Sequence, residues 1–102
     1  MTVVVTAVFR PVAGRHDELV EALRSTIPGV HEEQGCLLYA IHDAQDGTIT
    51  MIEKWASVAD LDAHGTSPAV RALQAATGDL VAEPPHVVRM TPIPVGGGAG
   101  TL

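Results

Sequence analysis

The residues best suited to chemistry lie close together in the chain, between Tyr39 and His64. This stretch contains the only Tyr, the only Trp and the only Lys of the sequence, together with His42 and Glu53. Imidazole groups titrate near neutral pH, and a carboxylate among apolar neighbours has a raised pKa, so His42, Glu53 and His64 are candidates for proton transfer. The indole N–H of Trp55 is a candidate hydrogen-bond donor. The pattern therefore predicts acid–base chemistry, unless Glu53 serves only in a structural ion pair.

Two partners are available for such an ion pair, Arg89 and His42. A metal site is a further alternative, but no spacing such as His-Glu-x-x-His or Cys-x-x-Cys occurs. His42, Glu53 and His64 would have to be brought together by tertiary folding to bind a metal. The glycine run at 96–98 precedes no helical pattern, so it does not predict a phosphate-binding loop. We therefore predict neither a metal nor a phosphate site.

Charge and cysteine content exclude several classes of protein. The 102 residues carry a formal net charge of −6, and the six Lys and Arg residues are scattered along the sequence. Nucleic acids and anionic membranes attract clustered cations, so we expect neither as a partner. Cys36 is the only cysteine, which forbids an intrachain disulfide and favours the cytoplasm. No apolar stretch approaches the roughly 20 residues of a membrane-spanning helix, and no export leader is evident.

The hydrophobic pattern divides the first half of the chain into a strand, a helix and a hairpin. Residues 2–10 are rich in Val and predict a strand. Residues 15–34 show apolar side chains at helical spacing, with an expected kink or break at Pro28. Residues 36–43 and 48–55 predict two strands joined at Asp46-Gly47, a dipeptide typical of tight turns.

The second half of the chain predicts two helical pieces and a last strand. Ser57 and Ser67 each precede a short helical pattern and are suited to cap it, the second with Pro68 in its first turn. Residues 86–91 predict a final strand. We assign residues 1–92 to one domain and residues 93–102 to a Pro/Gly-rich C-terminal arm without periodicity.

This order of elements, β-α-β-β-α-β, predicts an α+β ferredoxin-like fold with a four-stranded antiparallel sheet. Right-handed crossovers place all helices on one face of the sheet. The strands nevertheless carry apolar residues at both parities, such as Val3 and Val5 against Val4 and Val8. Leaving about ten such side chains in water would forfeit about 1.5 to 3 kcal/mol each. A second copy of the chain is the simplest cover, so we predict a homodimer packed through the sheet faces.

The length of the hairpin loop decides which side chains share a face. A loop of two or four residues places His42 and Leu38 beside Met51, Glu53 and Trp55. A three-residue loop reverses this arrangement and places Tyr39 with Glu53. We predict the first arrangement.

The chain resembles the antibiotic biosynthesis monooxygenase superfamily, and within it the small bacterial quinol monooxygenases. Four segments carry the resemblance: Glu32-Glu33-Gln34-Gly35-Cys36-Leu37-Leu38-Tyr39, Met51-Ile52-Glu53-Lys54-Trp55-Ala56-Ser57, Leu61-Asp62-Ala63-His64 and Ser67-Pro68. It spans about positions 3 to 92. These motifs are shared among the branches of the superfamily, so they do not identify a substrate.

The resemblance implies a dimeric α+β barrel and the oxygenation of an electron-rich phenol, hydroquinone or anthrone by O₂ without flavin, haem or metal. In this reading His64 or Glu53 is the base, and His42 and Trp55 are donors. The substrate-binding residues are Leu38, Tyr39, Met51 and Leu73. No cofactor is expected.

Two other functions are compatible with the same fold. Haem-degrading branches use an asparagine on the first strand and a histidine on the second helix, but this chain has no Asn and its segment 68–76 has no His. A non-catalytic dimer that binds a small ligand is the stronger alternative, because one fold hosts many functions.

Overall fold

A computed structural model describes all residues, 1–102. Its elements are β1 (Val3–Phe9), α1 (His16–His31), β2 (Cys36–Asp43), β3 (Ile49–Trp55), α2 (Val58–His64), α3 (Pro68–Thr77) and β4 (His86–Met90), followed by a short 3-10 turn at Gly98–Gly100. The four strands form one antiparallel sheet in the order β2-β3-β1-β4. This arrangement confirms the predicted ferredoxin-like fold.

The second crossover contains two helices, as the two serine caps predicted. The hydroxyl of Ser57 accepts a hydrogen bond from the backbone N–H of Asp60, and α2 begins at the next residue after the cap. The hydroxyl of Ser67 accepts from the backbone N–H of Val70 at the start of α3. Each cap satisfies a backbone donor that the first helical turn leaves without a partner.

We expected a kink or a break at Pro28, and the break does not occur, because helix α1 continues through Pro28 to His31. Proline removes one backbone donor and therefore one hydrogen bond, the one to the carbonyl four residues earlier. Pro28 lies in the last turn of the helix, which ends three residues later at His31. The buried side chains of Ile27 and Val30 flank it and hold this turn against the core.

The core lies between one face of the sheet and the helices. Alternate residues of β1 point into it, and the apolar face of α1 covers them, as the helical spacing predicted. The buried residues that these two elements contribute are Val3, Val5, Ala7, Phe9, Leu19, Leu23, Ile27 and Val30. This packing leaves β4 bonded to β1 at one edge of the sheet, with all five of its residues exposed.

The opposite face of the sheet, called here the outer face, has no helix over it. On this face residues of β1 pair with residues of β4, with Val4 opposite Met90 and Thr6 opposite Val88. Val88 and Met90 are 39% and 38% exposed. The C-terminus reaches this face, since Lys54 Nζ donates to the carbonyl oxygen of Leu102 at 2.7 Å. No helix in the chain has the length and hydropathy needed to cross a membrane.

Candidate active site

The β2–β3 hairpin turns through residues 45–47, a three-residue loop and not the two- or four-residue loop that we predicted. Asp43 pairs with Ile49 across its base. The Asp46 carboxylate accepts from the backbone N–H of Thr48 at 3.0 Å and from its hydroxyl at 2.6 Å. Gly47 has a φ of 89°, the left-handed conformation that closes such a loop. These local contacts fix the register of the hairpin from Asp43 back to Leu38, and an irregularity between Leu38 and Cys36 shifts it by one residue beyond that point.

The observed register places Tyr39 opposite Glu53 on the face that packs against the helices. Leu38 pairs with Lys54, on the other face. His42 is also there, exposed, with its Nδ1 3.2 Å from the carbonyl oxygen of Thr50. The predicted placement of His42 and Leu38 beside Glu53 is therefore wrong, because a change of one residue in loop length moves each side chain to the opposite face.

Two carboxylates organise the site, one buried and one partly buried. Glu53 is 5% exposed, and its Oε1 accepts a hydrogen bond from the indole Nε1–H of Trp55 at 3.0 Å. Glu33 lies in the turn after α1, and its Oε1 is 2.8 Å from Nδ1 of His64. Each carboxylate thus has one partner, and neither of the ion pairs expected for Glu53 is present in the structure.

Three aromatic rings pack against one another beside these carboxylates. The His64 ring lies 4.6 Å from the ring of Trp55, with 34° between the planes. The ring of Tyr39 meets His64 edge to face at 5.4 Å and Trp55 at 6.3 Å. Contacts of this kind fix side-chain orientation in addition to burying apolar area. His64 is therefore held in one ring plane at the C-terminal end of α2.

A cavity of about 730 Å³ opens next to this cluster, between the sheet and the helices. Its size is within the range of small-molecule sites. The apolar side chains that line it come from β1, β4, α2, α3 and the segment before β4, and they include Val5, Ala7, Phe9, Leu61, Val70, Leu73, Val81 and Val87. The polar groups at its wall include Tyr39, Glu53, His64 and Arg89. A chamber with hydrophobic residues over half of its lining and polar side chains among the rest suits a small aromatic ligand that carries a hydroxyl group.

The titration behaviour of this wall follows from burial. Desolvation raises the pKa of Glu53, while the hydrogen bond from Trp55 and the charges of His64 and Arg89 act in the opposite direction. Burial, reinforced by the negative charges of Glu53 and Glu33, raises the pKa of the Tyr39 phenol, so Tyr39 keeps its proton at neutral pH. Its hydroxyl has no hydrogen-bond partner within the chain, and the residue lines the cavity. Tyr39 therefore presents a free donor to a ligand.

The remaining predicted residues lie at different distances from the cavity. Leu73 lines it. Met51 is fully buried in the core and Trp55 is fully buried behind Glu53 and His64, so neither contributes to the lining. Because the indole N–H of Trp55 already donates to Glu53, Trp55 has no second donor for a ligand. Burial also raises the pKa of the Cys36 thiol, which fits a packing role and not a nucleophilic one.

Sequence reasoning missed the roles of two residues, Glu33 and Arg89. Glu33 is separated from His64 by 31 positions, so only tertiary structure reveals the contact. Arg89 was one of two alternative ion-pair partners for Glu53, but its Nη1 binds Asp62 Oδ1 at 2.8 Å, which joins β4 to α2 at the edge of the cavity. The signal for Glu33 was its place in a motif shared with a known superfamily, which gave no hint of its partner.

The metal arrangement considered from the sequence does not form. His42 lies on the outer face, whereas Glu53 and His64 line the cavity on the other face. No group of three or more His, Cys, Asp or Glu side chains is placed to hold a metal ion.

Comparison with known proteins agrees with the fold. The sequence profile of the antibiotic biosynthesis monooxygenase family matches residues 2–76. Since this match covers most of the chain, the protein belongs to the antibiotic biosynthesis monooxygenase family. No functionally curated protein matches the sequence.

Solved structures extend the similarity to the complete fold. Rv0793 from Mycobacterium tuberculosis is 28% identical with a TM-score of 0.84, over 95% of this chain and 100% of that one. Protein SO0527 from Shewanella oneidensis is 29% identical with a TM-score of 0.77, over 87% and 88% of the two chains. A protein described as an antibiotic biosynthesis monooxygenase shares the fold, with 23% identity and a TM-score of 0.79, over 92% and 100%.

Proposed function

We propose that this protein is a cofactor-independent monooxygenase that oxidises a small electron-rich aromatic compound, such as a hydroquinone, phenol or anthrone, with O₂. The observation that carries the proposal is the concentration of proton-transfer groups, His64, Glu53 and Tyr39, on the wall of an otherwise largely apolar cavity. Membership of the family supports the reaction class. The substrate would be aromatic because half of the lining residues are hydrophobic and can pack against a ring, while the polar side chains can bind its hydroxyl group.

The reaction needs only a base and a sheltered cavity. Removal of the hydroxyl proton from the substrate, or from the enol form of an anthrone, gives an anion that can pass one electron to O₂. The resulting substrate radical and superoxide combine to form a C–O bond, and the peroxide then loses water to leave a carbonyl group. One oxygen atom of O₂ remains in the product and the other leaves as water. The substrate supplies every electron, so no external reductant is required.

His64 is the base favoured by its surroundings. Its Nδ1 is engaged by Glu33, and its Nε2 has no partner within the chain. Because His64 lines the cavity and this nitrogen is not sealed from it, Nε2 can accept a proton from a bound ligand. Glu53 is the alternative base, since its buried carboxylate has a raised pKa.

Tyr39 is the donor that suits the developing negative charge. Its phenol stays protonated and has no protein acceptor, so it can donate to the substrate oxygen as that oxygen becomes anionic. This role replaces the donors expected from the sequence, because His42 lies on the outer face and the Trp55 N–H is used by Glu53. Leu73 and Val70 of α3 would contact the aromatic ring.

The active form that we propose is a homodimer joined through the outer faces. Val4, Ile52 and Val88 contribute apolar side chains to this face, and no helix of the same chain lies over it. Burying this face against a second copy would stabilise both sheets. The lone cysteine supports a cytoplasmic location for the enzyme.

Oxygen uptake with a panel of hydroquinones and anthrones tests the proposal. We expect wild-type protein to consume O₂ above the autoxidation rate with at least one compound, and His64→Ala to lose most of this activity. His16→Ala is the matched control, since His16 pairs with Asp17 and Asp43 at the start of α1 and does not line the cavity.

Equal background rates for wild type and His64→Ala across the panel would remove the enzymatic claim. If the same compounds then bind and quench Trp55 fluorescence without turnover, the protein is a non-catalytic ligand-binding member of its family. Loss of activity in both His64→Ala and His16→Ala would indicate general damage to the fold and would count against a specific role for His64.

A further inference from the structure

The contact between Glu33 and His64 lies behind the proposed base, and the reaction described above assigns no role to Glu33. The two groups lie 2.8 Å apart, and their side chains are only 17% and 7% exposed. A pair this poorly exposed is weakly screened by solvent. It also joins distant parts of the chain, because Glu33 follows α1 and His64 ends α2.

The chemistry of the two groups determines where the proton lies on a neutral His64 ring. An ionised carboxylate only accepts hydrogen bonds, so Nδ1 of His64 must carry a hydrogen. A neutral imidazole protonated at Nδ1 has its free lone pair on Nε2. Nε2 is the ring nitrogen without a protein partner, and His64 lines the cavity.

The other neighbours of His64 fix the ring plane but do not select this tautomer. Trp55 stacks on the ring at 4.6 Å and Tyr39 meets it at 5.4 Å. The single N–H of Trp55 donates to Glu53, so it is not available to His64. Among the surrounding groups, only Glu33 touches Nδ1.

We propose that Glu33 is a positioning residue, which holds His64 in the Nδ1–H tautomer with the Nε2 lone pair directed to the substrate. This inference rests on the proposed function, in which His64 is the base. When Nε2 takes the hydroxyl proton of the substrate, the imidazolium that forms lies against the Glu33 carboxylate and is stabilised by it. Glu33 itself takes no proton, and the proton on Nε2 is later returned to the water that leaves.

The tautomer can be measured without any substrate. In protein labelled with ¹⁵N-histidine, two-bond ¹H–¹⁵N correlations at pH 8 distinguish Nδ1–H, Nε2–H and doubly protonated rings. We expect the Nδ1–H form for His64 in the wild type. The exposed residues His42 and His86 serve as internal references in the same spectrum.

Two variants test whether Glu33 causes this state. In Glu33→Gln the side-chain amide can turn its NH₂ group toward Nδ1, and in Glu33→Ala the acceptor is absent, so the Nε2–H form should appear in at least one of them. Glu32→Gln is the matched control, since Glu32 is the adjacent exposed glutamate, and it should retain the Nδ1–H form. An Nε2–H or doubly protonated ring in the wild type, or an unchanged Nδ1–H ring in both Glu33 variants, would overturn the proposal.

Kinetics with anthrone as the probe then separates positioning from folding. We expect Glu33→Gln to lower kcat at least about 10-fold with little change in KM. The cavity lining stays intact, but His64 no longer has its free lone pair on Nε2. A tautomer change with unaltered kcat would also overturn the proposal. Should wild-type protein fail to oxidise any compound, the function fails, while the spectrum of the wild type still decides whether Glu33 sets the state of His64.

Discussion

At the scale of single residues, the site depends on groups whose hydrogen bonds are already assigned and on one group that is free. The carboxylates of Glu53 and Glu33 are each engaged, by Trp55 and His64 respectively. The Tyr39 hydroxyl lines the cavity without a protein partner. This hydroxyl is not sealed from solvent, so a ligand in the cavity can reach it and accept its hydrogen bond.

Tyr39→Phe tests this assignment because it removes only the hydroxyl. The ring contacts with His64 and Trp55 should persist, so we expect little change in thermal stability. Loss of a donor to a developing oxyanion costs about 10²- to 10³-fold in kcat, and we expect a fall of that order with KM nearly unchanged. Steady-state oxygen uptake with anthrone provides both constants. A variant as fast as the wild type would exclude Tyr39 as the donor.

Glu53 predicts a pH dependence of stability, because burial raises its pKa. A carboxyl whose pKa is raised by folding binds its proton more tightly in the native state. The resulting stabilisation is complete below the unfolded pKa of about 4.3 and is lost as the pH rises through the higher native pKa. Glu53→Gln cannot titrate and keeps an oxygen that can accept from Trp55.

Urea unfolding of both proteins between pH 4 and pH 8 measures this effect. We expect the free energy of unfolding of Glu53→Gln, relative to that of the wild type, to increase as the pH rises across the window above about 4.3. A difference that stays constant, or one that decreases with pH, would show that the native environment does not disfavour the Glu53 carboxylate. Glu32→Gln, at an exposed glutamate, should leave the pH profile close to that of the wild type.

At the scale of elements, the sequence predicted best what local chemistry determines. The helix starts at Ser57 and Ser67 were correct, because each cap is made by a residue three positions from its donor. The hairpin register was wrong because loop length depends on how Asp46 and Gly47 close the turn, and the dipeptide alone permits several lengths.

Side-chain contacts between elements were beyond sequence reasoning for a different reason. The Glu33–His64 pair forms only because α1 and α2 end near each other, although both residues belong to motifs recognised in the sequence. The consequence for His42 was the largest error, since one position in the register moved it away from Glu53 to the outer face.

Gly35 in the turn between α1 and β2 gives a prediction about this junction. Its φ is 79°, and a Cβ there would collide with the side chain of Asp60 in α2. We expect Gly35→Ala to lower the free energy of unfolding by more than the about 1–2 kcal/mol that a left-handed conformation costs an L-residue. Gly14→Ala is the control, since Gly14 also has a φ of 79° but open space around it.

Urea unfolding of the two glycine variants separates strain from collision. Gly14→Ala should lose about 1–2 kcal/mol and Gly35→Ala a larger amount. Equal losses would show that Asp60 moves aside freely, so that the approach of α2 to this turn, and with it the position of His64 relative to Glu33, is not tightly determined.

At the scale of the whole molecule, the apolar outer face is the feature that a single chain leaves unexplained. Val88 and Met90 are more than a third exposed, and Ile52 on the same face is partly exposed, whereas Val4 is only 9% exposed. The free-energy cost of exposing apolar side chains to water depends on their area and not on the net charge of the chain. The proposed homodimer removes this area from water.

Sedimentation velocity tests the dimer directly. We expect wild-type protein at micromolar concentration to sediment with twice the mass of one chain, and Val88→Asp to dissociate because the new charge would be buried in the interface. Ala75→Asp adds the same charge on the exposed side of α3 and should remain dimeric. A compact, folded monomer for the wild type would contradict the proposed assembly.

The central claim, that the cavity beside His64 supports insertion of one atom of O₂ into an aromatic substrate, is tested most directly by isotope labelling. Anthrone is oxidised under ¹⁸O₂ by wild-type protein and by His64→Ala, and the product is analysed by mass spectrometry. The mechanism predicts one ¹⁸O atom in the product of the wild type, formed at a rate that falls about 10²- to 10⁴-fold in the variant. Product without ¹⁸O, or labelled product formed equally fast by both proteins, would contradict it.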